Sequence, residues 1–176
     1  NLNIYRFKYT RVFAHYKPIP EDQAPMGVVG IPRALNMDEN YPFWFTFFNE
    51  LGFSVRLTPR TTKKTFEEGM ETIPSESVCY PAKLVHGHIM HLINQKTPFI
   101  FYPCVPYERN LNEKGDNPYN CPIVTAYSAV IKSVGQTAIP IDSPVISFKD
   151  SNLLLKQCKT DLRSLGIADA VIHNAF

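Results

Sequence analysis

The residues best suited to chemistry in this chain are three cysteines in proline- and tyrosine-rich stretches. Cys79 lies in Pro74-Ser75-Glu76-Ser77-Val78-Cys79-Tyr80-Pro81, Cys104 in Tyr102-Pro103-Cys104-Val105-Pro106, and Cys121 in Tyr119-Asn120-Cys121-Pro122. Spaced cysteines in a cytosolic protein more often bind a metal or act in catalysis than form disulfides. Structural zinc usually shows paired ligands such as C-x-x-C, and no such pair occurs here. A tetrahedral zinc would need a fourth ligand, with the histidines as candidates. An iron–sulfur cluster is held by thiolates that can come from distant loops. Three protein ligands would leave one iron open to substrate or to a non-protein ligand. Three unrelated loop cysteines are the bland alternative, and the residues alone leave all three readings open.

The elements around these cysteines decide whether they can meet. Gly27-Val28-Val29-Gly30-Ile31, closed by Pro32, reads as a buried strand. Pro42 to Leu51 reads as a helix with proline in its first turn and Gly52 after its end. Phe53 to Leu57 is a second strand, Thr62 to Glu68 a short helix, and Glu71-Thr72-Ile73-Pro74 a brief third strand. Ala82 to Gln95 is a helix and Pro98 to Tyr102 a fourth strand. Ile123 to Val134, followed by Gly135, is a further helix. Thr137-Ala138-Ile139-Pro140 is a fifth strand candidate, and Val145 to Phe148 is another. A last helix runs from Leu153 to Leu165, with Gly166 as its C-cap. Strands alternating with helices predict an α/β domain, a Rossmann-like three-layer arrangement with a mainly parallel sheet.

That arrangement places all three cysteines in strand-to-helix loops. In a parallel sheet such loops share one edge, outside the carboxyl ends of the strands, where ligands bind. Cys79 and Cys121 also come just before helices. A helix N-terminus carries partial positive charge and free N–H groups, which stabilise an anionic thiolate or cluster. Pro81 and Pro122 suit the first turn, where a missing N–H costs nothing. The fourth cysteine, Cys158, falls among Leu154, Leu155 and Leu162 and reads as a small core residue.

Other residues join this rim as candidates. Arg33 follows the first strand, where a cation would offset the charge of a cluster or of a CoA phosphate; a plain surface arginine is the alternative. Glu76, Ser75 and Ser77 surround Cys79, and donors there would tune a cluster through its sulfurs. Ser77 could equally cap the following helix. Lys83 and Glu108 are weaker members of the same set. His86, His88 and His91 cannot serve one metal, because at about 100° per residue His86 points roughly 160° away from His88. They read as flanks of the apolar face formed by Leu84, Val85, Ile89 and Leu92. Phe43, Trp44, Phe47, Phe48 and Leu51 share a helical face and read as core packing.

Composition limits the remaining classes. The chain has 176 residues, 44% of them hydrophobic and 19% charged, which fits one ordinary domain with a real core. A net charge of +2 is too small to argue for nucleic acid or an acidic membrane. No apolar run is long enough to span a bilayer. The chain opens Asn1-Leu2-Asn3 with no initiator Met and no apolar leader, and is read as a segment of a longer cytoplasmic protein. Residues 1–25, with Tyr5-Arg6-Phe7-Lys8-Tyr9 and Lys17-Pro18-Ile19-Pro20, read as a linker from an upstream domain, and 26–176 as a single α/β domain. Neither a P-loop nor a G-x-G-x-x-G motif is present.

Together with Gly30-Ile31-Pro32-Arg33, Glu39-Asn40-Tyr41-Pro42-Phe43-Trp44, His86-Gly87-His88 and Tyr107-Glu108, the cysteine segments resemble the acyl-CoA dehydratase activase-related proteins. These are relatives of the 2-hydroxyacyl-CoA (2-hydroxyglutaryl-CoA) dehydratase superfamily, and residues 26 to about 148 carry the resemblance. It implies an oxygen-sensitive, anaerobic electron-transfer system with a [4Fe-4S] or double-cubane cluster on three cysteines, here Cys79, Cys104 and Cys121. It also implies an activase-type ATPase domain as partner, on the same chain or separate, through which alone ATP would act, and an acyl-CoA as candidate substrate. The expected function is therefore that of a cluster-binding domain in an ATP-dependent low-potential reductase or dehydratase-activating system, inactive in isolation. The alternative is a non-catalytic module that binds an acyl-CoA or a partner, with structural or zinc-bound cysteines.

Overall fold

The computed structural model describes residues 3–110, 114–115, 117–134 and 139–176. Its central sheet is parallel throughout and has the order β2-β1-β3-β5, built from Val28–Ile31 (β1), Ser54–Leu57 (β2), Phe99–Phe101 (β3) and Ile141–Asp142 (β5). β1 lies in the middle, pairing Val29 with Val55 on one side and with Phe99 on the other. Cys104–Tyr107 (β4) and Val145–Ser147 (β6) form a second parallel pair. This pair continues the first. Tyr102 N–H donates to Asp142 O and Cys104 N–H to Pro144 O, each at 2.8 Å, across the gap between β3–β5 and β4–β6. Pro103 and Pro144 stand in that gap, and neither has an N–H to give the ladder, so the ribbon creases there.

Helices cover both faces. Met37–Glu50 (α2) lays Trp44 and Phe48 on Phe101, with ring centroids 4.6 and 4.9 Å away. Ser151–Leu162 (α6) brings Cys158 and Leu162 to the same cluster, and Asp169–Ala175 (α7) adds Ile172. On the opposite face lie Lys63–Gly69 (α3), Tyr80–Asn94 (α4) and Pro122–Val134 (α5). A β-carbon on Gly30 would meet Leu92 and Thr97 from that side. The architecture is thus three-layer α/β with a mainly parallel sheet, as expected. α3 and α4 touch backbone to backbone: a β-carbon on Gly87 would fall 1.7 Å from the Thr65 carbonyl oxygen, and one on Gly69 would fall 2.2 Å from the Gly87 nitrogen.

Several local expectations need correction. α2 starts at Met37 rather than Pro42, because Met37 and Tyr41 are buried and extend the apolar face by another turn and more. Pro42 therefore lies inside the helix. The expected strand at 71–74 is a 3₁₀ turn, Met70–Thr72, held by the Thr72 hydroxyl donating to the Gly69 carbonyl at 2.8 Å. Of the fifth strand candidate, Thr137 and Ala138 lie outside the described residues, as does Gly135; the strand observed is Ile141–Asp142. α6 ends at Leu162, followed by a 3₁₀ turn to Leu165 and by Gly166 at φ 76°. β4 and α7 are additional to the expected elements. So is the helix Ile4–Phe13 (α1), capped by Asn3. Its Tyr9 and Phe13, four residues apart, pack at 4.9 Å, and Phe13 reaches Tyr41 of α2 at 5.3 Å.

Candidate functional site

α4 leads through Gln95–Thr97 into the start of β3, and α5 leads toward β5, so both helices run against the strands. Their N-termini therefore lie at the carboxyl edge of the sheet. Cys79 is the N-cap residue of α4, in extended conformation and with no side-chain capping bond. Cys121 comes immediately before α5. Cys104 opens β4, at the crease just past the end of β3. Only Cys121 lies in a strand-to-helix connection. Cys79 follows a 3₁₀ turn, and Cys104 belongs to a strand, because the chain after β3 re-enters parallel pairing with β6. Cys79 and Cys121 are exposed, Cys104 is half-buried, and Cys158 is buried in the core, its thiol pushed up to about 12 chiefly by burial.

The groups around the thiols come largely from α5. Cys104 Sγ lies 2.9 Å from the hydroxyl of buried Ser128. The neighbouring Tyr127 hydroxyl is 2.9 Å from His86 Nε2, and His86 Nδ1 is 2.8 Å from the Thr72 hydroxyl. Burial lowers His86 to about 4, so its ring is neutral. Thr72 spends its only proton on the Gly69 carbonyl and must accept from His86. The proton is thereby assigned to Nδ1, and Tyr127 donates to Nε2. The Tyr127 phenol is raised first by burial and then by the charge of Cys79. Tyr102 is raised by burial, then by Cys104, then by Tyr127. Cys79 and Cys104 thus act electrostatically on the Tyr127–Tyr102 pair. Cys121 is seven positions before Ser128, about 10 Å along α5 and on nearly the same face by helical periodicity.

The other candidates behave differently. Arg33 does not join the cysteines. Its guanidinium donates to the Tyr9 hydroxyl and sits 4.4 Å over the Phe13 ring, while its backbone N–H binds Thr58 Oγ1 at 2.7 Å. It is held by α1 through hydrogen bonding and cation–π attraction. The described bonds of Ser77 stay in its own loop, to Ser75, and the Glu76 carbonyl accepts from Lys83 Nζ at 2.7 Å. Glu108 is held by the amides of Asn40 and Asn120 at 3.0–3.3 Å, and Asn120 adjoins Cys121. His86 and His88 are buried rather than flanking, on opposite sides of α4: His86 faces α5, while His88 Nε2 meets Thr61 Oγ1 at 2.9 Å. Tyr127 and Ser128 were not singled out from sequence. Their spacing of six and seven residues from Cys121 is the signal that would have found them.

A single ion needs donors converging within about 2.0–2.3 Å of one point. Among the described residues, no three His, Cys, Asp or Glu side chains are so arranged. Cys79, Cys104 and Cys121 lie along one edge, near the starts of α4 and α5 and the start of β4. No helix among the described residues is long and apolar enough to cross a membrane.

Comparison with known proteins gives one family. A family model described as the CoA enzyme activase uncharacterised domain matches residues 28–176. No curated protein and no solved structure matches the chain.

Proposed function

From the premise that this chain belongs to the CoA enzyme activase uncharacterised domain family, we propose that it is the iron–sulfur cluster-binding domain of an ATP-dependent low-potential reductase or dehydratase-activating system. The observation that carries the reading is the placement of Cys79, Cys104 and Cys121 at the carboxyl edge of one parallel sheet, around the N-terminal ends of α4 and α5. When bound, a [4Fe-4S] or double-cubane cluster would supply one-electron transfer at low potential. The chain's own residues would do the rest. Cys79 and Cys121 would hold the exposed side, at the N-cap of α4 and immediately before α5. Cys104 would hold the inner side, positioned by the Ser128 hydroxyl. Tyr127 and Tyr102 would stay protonated and close the inner wall to water.

The partner in this reading is an activase-type ATPase domain, with an acyl-CoA as candidate substrate of the whole system. The exposed Tyr80 and Tyr119, beside Cys79 and near Cys121, give such a partner an aromatic surface to meet. A second reading, a non-catalytic module with free thiols, is favoured by the absence of three convergent metal donors among the described residues. Reconstitution with iron and sulfide without oxygen, followed by metal and sulfide counting and EPR, separates the two. Bound iron and acid-labile sulfide, lost in Cys79→Ser, Cys104→Ser and Cys121→Ser but kept in Cys158→Ser, are expected. A folded, iron-free protein would sink the first reading.

A further inference from the structure

Before it enters α5, the chain returns along β4. Tyr107 of β4 bridges Tyr119 in antiparallel fashion. Glu108 N–H donates to the Pro118 carbonyl and Asn120 N–H to the Pro106 carbonyl, each at 3.0 Å. The Tyr107 and Tyr119 rings meet edge-on, with centroids 4.6 Å apart, as suits a cross-strand pair. Pro106 and Pro118 do not weaken this pairing, because each supplies only its carbonyl.

The Asn120 side chain closes the same turn a second time. Its amide nitrogen donates to the Val105 carbonyl at 2.9 Å and to Glu108 Oε1 at 3.0 Å. An amide NH₂ has two hydrogens, so both are spent. Glu108 Oε1 also accepts from Asn40 Nδ2 of α2, at 3.2 Å. A carboxylate acceptor strengthens such bonds, and the partial burial of Asn40, Glu108 and Asn120 limits competition from water.

Val105 and Asn120 are the immediate chain neighbours of Cys104 and Cys121. The bond between them therefore ties together the two stretches of backbone that carry these cysteines. Cys79 comes from α4 and has no part in the clamp.

We propose that Asn120 and Glu108 are positioning residues, which fix the separation of Cys104 and Cys121 before any group binds there. The use of that pair in holding a cluster rests on the function proposed above; the clamp itself does not. Two thiols already held at a set distance lose less freedom when they capture a common ligand, which is the advantage of preorganisation.

Thiol cross-linkers of graded length, applied without oxygen to metal-free Cys79→Ser protein and mapped by mass spectrometry, test this. Cys158 is buried, which leaves Cys104 and Cys121 as the reactive pair. Their cross-linking is expected to peak at one spacer length. Asn120→Asp keeps the size of the side chain and removes both donors. Its yield at that length is expected to fall severalfold and to spread to other lengths. Glu108→Ala is expected to broaden the profile too, and Glu108→Gln, which keeps one oxygen for both asparagines, to restore it. An unchanged profile in folded Asn120→Asp, or equal profiles in Glu108→Ala and Glu108→Gln, overturns the proposal. Should Asn120→Asp fail to fold, the comparison at position 108 decides alone. Iron and sulfide counting on the reconstituted protein with Cys79 intact keeps the two readings apart. An iron-free wild type defeats the cluster and leaves the cross-linking result to judge the clamp, while bound iron with an unchanged profile in the variants defeats the clamp alone.

Discussion

The Cys104 thiol and the Ser128 hydroxyl lie 2.9 Å apart and join β4 to α5 at the crease of the sheet. Ser128 is buried, so water does not replace it when it is removed. Ser128→Ala is expected to cost about 1 kcal/mol, the net worth of an ordinary internal hydrogen bond. Urea denaturation measures it, and an unchanged midpoint would mean that the contact contributes nothing to the fold.

His86 and His88 make stability depend on acid. Burial lowers each to about 4, below the ordinary value near 6.5. Between those values the unfolded chain binds more protons than the folded one, so stability falls as pH drops. It should be insensitive to these residues above about pH 7 and lose a few kcal/mol by about pH 4. Denaturation midpoints at pH 7, 5.5 and 4.5 measure the slope. His88→Leu, which also removes the unpartnered Nδ1, should flatten it.

Asp161 acts in the opposite sense. Burial raises its carboxyl to about 7, helped by the charge of Asp142 and a hydrogen bond to it, while Lys132 pulls it down. The folded state holds this proton over a range where the unfolded chain has released it. Its stabilisation is present below the ordinary carboxylate value and is lost as pH rises through about 7. Asp161→Asn keeps a neutral group at every pH. It should raise the melting temperature above pH 7 and make little difference near pH 4; an equal shift at both would refute the assignment.

Gly87→Ala should be among the most damaging single changes in the molecule. The added methyl would fall 1.7 Å from the Thr65 carbonyl oxygen, and backbone cannot step aside as a side chain does. A loss above about 3 kcal/mol is expected, at the severe end for overpacking. Gly30→Ala meets only the side chains of Thr97 and Leu92 and should cost less. Thermal melts of both variants check the ranking.

The sheet is legible in the sequence where short apolar runs are closed by proline or glycine, as at Val28–Ile31 and Phe99–Phe101. α1 is not, because aromatic and basic residues alternate through Tyr5–Tyr9 and hide the four-residue step from Tyr9 to Phe13 that faces the core. β4 is hidden by its prolines, Pro103 before it and Pro106 within it, which look like loop until a parallel partner is known. At the candidate site, the positions of the cysteines near helix starts follow from local signals. The capture of Arg33 by Tyr9 and Phe13, and the meeting of Ser128 with Cys104, join residues 20 or more positions apart, and no local pattern encodes them.

The close approach of Gly69, Gly87 and Thr65 reaches further than the two helices it joins. Cys79 stands eight residues before Gly87, about 12 Å along a stiff rod. The height of that sulfur above the sheet is consequently set at a distance, by two methyl groups that are not there. A lineage could vary the loop around Cys79 freely and leave its thiol in place, yet lose it by enlarging either glycine.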